Sequence, residues 1–407
     1  MKRPVRPPAR SGHALACRGR AFALALAALA AAAPALAKDA KPAERPTAEM
    51  QAVFEAVSHL LPIAMSEQAW ASPDRRAEVQ QWLDALAKRS ALLEKHGMSR
   101  EVGFQHLSRS LASDVEEVRE RFRLGRYEES RFFMIEATGN CVACHSRLPS
   151  EKSFPMANRL LARIDLDALS VHERTQILVA TRQFDEAMET WEKMFADTSV
   201  SPGELDLGGY LLDYLTVGLR VERNPARVRG TIAKLAARPD VPLDLQRHLA
   251  GWIRALEAST RDVGSGDRLA RARALIEGRQ LPTPAPLTRD QTVYDLVASG
   301  LLLELLDDAA TKGPRRAEAY YLLGLVESRT VDSHWVPQAE VHLEAAIRLA
   351  PEAPFAEDAY AVLEEYIIVG WGGASSTDLP AQEWAKLREL RALIDAHAAD
   401  LPTEASR

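Results

Sequence analysis

Cysteine is nearly absent from this 407-residue chain, which has three. Cys17 stands near the start, and Cys141 and Cys144 are the others. A structural zinc site usually needs a second Cys-x-x-Cys or a His pair, and neither accompanies them. Convincing runs of alternating strand pattern are also missing, so the strand-to-helix context of a redox dithiol is not visible. Gly-x-Ser-x-Gly and His-Glu-x-x-His do not occur. Gly264-Ser265-Gly266 lacks the preceding strand and the following Lys-Ser/Thr of a phosphate loop. Nothing in the C-terminal half points to catalysis.

What the chain does have is Cys141-Val142-Ala143-Cys144-His145, the Cys-x-x-Cys-His pattern of haem c attachment. Two thiols add to two vinyl groups of one haem, which asks for cysteines about three residues apart on one helical face. His145 then offers its imidazole as proximal iron ligand. A redox dithiol, a zinc site and a chance match are the competing readings; the cysteine inventory and the N-terminus favour one covalent haem c.

Residues 1–37 read as a secretory signal. Lys2, Arg3, Arg6, Arg10, Arg18 and Arg20 precede an apolar run from Ala21 to Ala37, and Ala35-Leu36-Ala37 suits cleavage before Lys38. The run is short for a membrane span and contains Pro34, so cleavage is expected rather than anchoring. Haem c is assembled after export, so the expected location is the periplasm, without firm membrane association. Cys17 leaves with the signal, and every remaining thiol is then used by haem. The same cleavage removes six basic and no acidic residues, taking the formal charge from -6 to -12. Such acidity argues against nucleic acid and anionic lipid, and suits a basic redox partner.

Residues 38–46, with Pro42 and Pro46, read as a tether. Four helices are expected over 47–150. The first runs from about Thr47 to Trp70 with Met50, Val53, Phe54, Val57, Leu60, Leu61 and Ala64 at helical spacing. Ser72-Pro73-Asp74 opens a second, which carries Val79, Trp82, Leu83, Leu86 and Leu93 inward and ends near Gly97. Phe104, Leu107, Leu111, Val115, Val118 and Phe122 mark a third that ends at Gly125. The fourth runs from about Arg126 to Pro149 and carries the haem motif at its end. Short connections favour an up-down-up-down bundle.

This stretch resembles the class II cytochromes c, the cytochrome c′ group, in its helix pattern and in the motif near the end of the fourth helix. Cys141, Cys144 and His145 match residue by residue. The resemblance implies a four-helix haem-c bundle whose distal face is either apolar or supplies a methionine from the first helix. Met50 shares the inward stripe of Phe54, Val57 and Leu61 and is the first candidate distal ligand. His96, at the haem end of the second helix, is the second; Met65 and Met98 are weaker, and Phe54 is an alternative apolar lid. His59 and His106 fall off the stripes and are expected on the surface. Arg147 is a candidate partner for a haem propionate, with Arg131 and Arg100 behind it.

From about 155 to 400 the helical period continues in short pairs. Tyr320, Leu323, Gly324, Ala339, Leu343, Ala346 and Pro351 resemble the tetratricopeptide pattern, with extra residues around Ser333-His334-Trp335. Phe184, Ala187, Trp191 and Met194 make a half-match. Further helical segments are Tyr210–Val221, Val228–Ala237, Leu245–Ala258, Arg268–Glu277 and Thr292–Ala309. The fold class expected is therefore all-α, a haem-c bundle followed by an irregular TPR-like solenoid of helical hairpins whose concave face binds a partner. His172, His248, His334, His342 and His397 are expected as surface or capping residues. The function expected is one-electron transfer by a periplasmic monohaem cytochrome rather than enzymatic turnover. The alternatives are nitric oxide or carbon monoxide binding at an open iron, and a scaffold or assembly protein with a structural haem.

Overall fold

A computed structural model describes residues 48–98, 100–147, 157–261, 266–277, 289–330, 338–371 and 379–399. The expected signal and tether lie outside them. The described helices all belong to one compact unit within Pro46–Arg407. Among the described residues every regular element is helical, and no helix is long and apolar enough to cross a membrane.

The first helix expected from the sequence is two, α1 (Ala48–Ala64) and α2 (Glu67–Ala71). Pro62 has no N–H to give the carbonyl of Ser58, which weakens the last turn of α1. Ser66, in an extended conformation, then caps a new helix by accepting from the Ala69 N–H at 3.2 Å. A short 3-10 turn, Pro73–Arg75, leads into α3 (Arg76–Gly97). Ser72 makes no side-chain cap bond there. After α4 (Val102–Arg123) the chain reverses at Gly125, whose φ of +79° suits glycine.

The fourth expected helix also divides, into α5 (Tyr127–Glu136) and α6 (Thr138–His145). The ladder tightens at the joint, where the Asn140 N–H bonds the Ala137 carbonyl three residues back. Helices α1, α3, α4 and α5 pack on one another in that order, and α1 also meets α5. Their shared core holds Leu60, Trp70, Leu83, Val118, Phe122 and Met134. Trp70 meets Phe122 edge to face at 5.6 Å. Each such side chain removed from water stabilises by roughly 1.5–3 kcal/mol.

The following helices are α7 (Ala157–Leu161), α8 (Val171–Ala180), α9 (Phe184–Ala196), α10 (Pro202–Leu207) and α11 (Tyr210–Thr216). A π-helical turn, Val217–Val221, extends α11. Then come α12 (Pro225–Ala236), α13 (Leu243–Arg261), α14 (Arg268–Glu277), α15 (Arg289–Asp307) and α16 (Gly313–Arg329). The last are α17 (Ala339–Leu349), α18 (Ala356–Trp371) and α19 (Ala381–Ala399). Packing is mostly between sequence neighbours, as in α8 with α9, α12 with α13, α14 with α15 and α16 with α17.

Helices α16 and α17 approach closely at a glycine. A Cβ added to Gly324 would lie 2.6 Å from Leu343 Cγ and 3.1 Å from its backbone nitrogen. Gly324→Ala is therefore expected to force the helices apart and cost about 2 kcal/mol, despite alanine's better helix propensity. A lowered urea midpoint checks this; an unchanged or raised midpoint would show that the pair has slack.

Three seams join the first six helices to the later ones. Leu61 of α1 packs with Leu160, Ile164 and Ile177 around α7 and α8. Helix α6 lies on α8, with Val142 entering the core of α8–α15. The start of α4 reaches α17.

Candidate functional site

Cys141 and Cys144 lie three residues apart on α6, so they share a face, and both are free thiols. Burial, with Cys144 beside it, pushes the Cys141 thiol up to about 12, and burial raises Cys144 as well. A redox dithiol needs the opposite, a thiol lowered toward neutrality. Among the described residues no group of three or more His, Cys, Asp or Glu side chains is placed to hold a metal ion. A haem iron brings its equatorial ligands with the porphyrin and needs only axial ones from the chain.

The imidazole of His145 satisfies that need. Its Nδ1 lies 2.6 Å from the carbonyl oxygen of Ala180. A carbonyl can only accept, so Nδ1 carries the proton and Nε2 keeps its lone pair for a ligand. This is the outer-shell bond that orients a metal-binding histidine. Burial, and then the nearby Arg182 charge, lower the His145 pKa to about 3, so the ring is neutral and ligand-competent at physiological pH. The donor set fits a covalently attached haem.

The Ala180 carbonyl is available because of how α8 ends. Gln183 N–H bonds Leu178 O at 2.8 Å and Arg182 N–H bonds Val179 O at 3.0 Å, the paired bonds of a Schellman turn. Gln183 Nε2 serves Thr181 O at 3.2 Å. Of the last carbonyls, that of Ala180 takes His145. Arg182 occupies the left-handed position of the turn at φ +61°, where glycine is usual. The sequence reading passed over this turn, because Thr181-Arg182-Gln183 contains no glycine to mark it.

Arg147, expected as a propionate partner, is 7 % exposed and engaged within the protein. Its Nη2 donates to Glu101 Oε2 at 3.0 Å and lies 3.4 Å from His342 Nε2, while its Nη1 donates to Gln338. Glu101 caps α4, accepting from the N–H groups of Gly103 at 2.9 Å and Phe104 at 3.2 Å. Burial works to raise the Glu101 carboxyl, but Arg147, His342 and these backbone donors outweigh it and hold it below the usual range.

His342 corrects the expectation of a surface or capping residue. It is fully buried, stacked on Tyr320 at 5.9 Å, with Glu327 Oε2 3.4 Å from Nδ1 and Glu101 Oε1 3.8 Å from Nε2. Glu327 in turn faces Arg220 of the π-helical turn at 3.9 Å, and Arg220 Nε donates to Ser299 at 2.8 Å. His106 is likewise not on the open surface, and burial together with His342 lowers its pKa. His59 is half-buried and stacked on Trp82 at 3.8 Å. A charged layer, Glu101–Arg147–His342–Glu327–Arg220, therefore begins two residues after the motif.

The other candidates lie on separate elements. Met50 packs against the core of α1–α5, to which no residue of α6 belongs. His96 is exposed in the last turn of α3, and Met98 is exposed just beyond it. Phe54 and Met65 pack toward α7 and α8. Arg100 lies over the Phe104 ring, and Arg131 donates to the Ala64 carbonyl at 3.3 Å. No family model, no curated protein and no solved structure matches the chain, so its function rests on the chemistry of these residues.

Proposed function

We propose that the chain is an exported monohaem c-type cytochrome that carries single electrons to or from a protein partner. The observation that carries this reading is the 2.6 Å bond from His145 Nδ1 to Ala180 O beside two free cysteines on one helical face. When bound, haem c supplies a one-electron iron couple. Cys141 and Cys144 would hold it by thioether bonds, and His145 would offer Nε2 with its ring orientation fixed by α8. Helices α1–α6 take the part of a class II-like haem bundle in this reading, with Met50 or His96 as candidates for a sixth ligand. The later helical pairs act as a TPR-like docking region, which suits a basic redox partner. Export to the periplasm rests on residues 1–37.

The test is expression in a host that attaches haem c, followed by haem staining of a denaturing gel. One covalent haem per chain is expected, and Cys141→Ala with Cys144→Ala should abolish the stain. Unstained wild-type protein overturns the reading. Optical and electron paramagnetic resonance spectra, with and without carbon monoxide, then separate electron transfer from gas binding. A low-spin spectrum inert to carbon monoxide is expected. If Met50→Ala turns it high-spin, Met50 is the sixth ligand; no change moves that role to His96. A high-spin, carbon monoxide-binding wild type would make gas binding the function instead.

A further inference from the structure

We propose that Asn140 is a positioning residue of the haem site, whose bond to Asp114 fixes the start of the motif helix against α4 and so sets where Cys144 and His145 meet the cofactor. The inference rests on the cytochrome reading above. It gives a part in that site to two side chains outside the Cys-x-x-Cys-His pattern.

The bond is short and lies beside the motif. Asn140 Nδ2 donates to Asp114 Oδ2 at 2.6 Å, and Asn140 is 3 % exposed. An ionised acceptor makes such a bond stronger than one between neutral groups. On α6, Asn140 immediately precedes Cys141 and stands four residues before Cys144, which puts it one turn from Cys144 on the same face. Its backbone N–H closes the tightened turn at Ala137, and Nδ2 reaches the same carbonyl at 3.4 Å. The residue therefore belongs to the joint at which α6 leaves α5.

The motif helix is held against α4 at both ends. Asp114 takes Asn140 near its start, and Glu101 takes Arg147 just past its end at 3.0 Å. One such bond would leave the helix a pivot; two fix its angle. That angle matters because His145 is oriented from a different helix, through its 2.6 Å bond to Ala180 O on α8. Packing alone does not account for an amide here. Asn140 Oδ1 is buried with no hydrogen-bond partner among the described residues. A buried acceptor left unpaired costs stability that an apolar side chain would not. What asparagine adds over leucine is the direction of its bond to Asp114.

The test uses the full-length, haem-loaded protein and two variants that keep the wild-type net charge. Asn140→Leu breaks the bond. Asn140→Asp combined with Asp114→Asn turns it around, with the donor on α4 and the acceptor on α6. The Ala180 carbonyl makes the His145 imidazole a stronger donor, which favours oxidised iron. A motif helix free to pivot loosens that bond, so Asn140→Leu should shift the reduction equilibrium roughly three- to tenfold toward the reduced form, about 30–60 mV higher for a one-electron couple. Its electron paramagnetic resonance spectrum should spread beyond the single wild-type species. The swapped pair should restore both signals. A merely structural bond would lower the urea midpoint of Asn140→Leu and leave potential and spectrum in place; that result overturns the role of Asn140 and leaves the cytochrome intact. A swapped pair displaced toward the reduced form as far as Asn140→Leu overturns it too. Wild type without haem overturns both readings.

Discussion

Glu327→Ala is expected to destabilise the protein by about 3–5 kcal/mol, the cost of breaking a buried charge arrangement by removing one member. Glu327 is 8 % exposed and faces His342 at 3.4 Å and Arg220 at 3.9 Å. Without it, Arg220 keeps its charge inside the protein but loses the carboxylate it faces. Burial alone would raise the Glu327 carboxyl. The charges of His342, Arg220 and Arg147 win, and its pKa falls from 4.5 to about 2. A carboxyl lowered in the folded state contributes stability above its unfolded value, and loses it as the pH falls through the folded one. The native protein should therefore weaken between about pH 4.5 and 2, and Glu101 acts in the same direction. Urea unfolding across that range is the check. Glu327→Gln, which keeps the shape without the charge, should start less stable at neutral pH and show a shallower acid arm. Parallel slopes for the two proteins would mean that Glu327 is not the titrating group.

The charged layer shows where the sequence stopped being readable. Periodicity found the inward stripes of α3 and α4, and Val79, Leu83, Leu86, Leu107, Val115, Val118 and Phe122 are buried as expected. It also placed the motif in a helical stretch, though not the break at Ala137, and located most of the later helices to within a few residues. Yet a helical wheel identifies only the face richest in apolar side chains. His106 lies off the stripe of α4, but the start of α4 is covered by α17, so a second layer buries it. His342 lies on α17, among the residues that form that cover. Polar residues that meet across such a seam look like surface from either helix alone. The breaks after Ala64 and at Ala137 were hidden for another reason. Both interrupt otherwise continuous helical patterns, one after Pro62 with Ser66 recapping and one through a single tightened turn.

Of the candidate site residues, the legible ones were those bound together by local spacing. Cys141, Cys144 and His145 share one short helix, so three residues of sequence suffice to align them. The group that orients His145 comes from another helix, and the sequence marked neither Ala180 nor Arg182. Arg147 was legible as a neighbour of the motif, but its partners Gln338 and His342 lie nearly two hundred residues away.

Arg147 also sets up the second large effect, at Gly103. The guanidinium rests so closely on the start of α4 that a Cβ at Gly103 would lie 1.7 Å from Nη1 and 2.6 Å from Cζ. Alanine would ordinarily improve a helix by about 1 kcal/mol over glycine. Here the obstructing group is the end of a long side chain, which could swing aside at a surface. Arg147 has no such room, being enclosed by Glu101, Gln338 and His342. Moving it would sacrifice a charge-assisted bond worth about 1.5–3 kcal/mol and leave Glu101 buried without its strongest counter-charge. Gly103→Ala is therefore expected to lose about 3 kcal/mol net. Glu101 should also titrate higher in the variant, moving acid unfolding to higher pH. The decisive comparison is the same substitution in an Arg147→Ala background. With the guanidinium gone, Gly103→Ala should become neutral or stabilising by up to about 1 kcal/mol. A loss that persisted there would place the obstruction in the backbone of α4 and not in Arg147. A loss that disappears would show that this glycine exists to seat the arginine between the motif helix and the later helices.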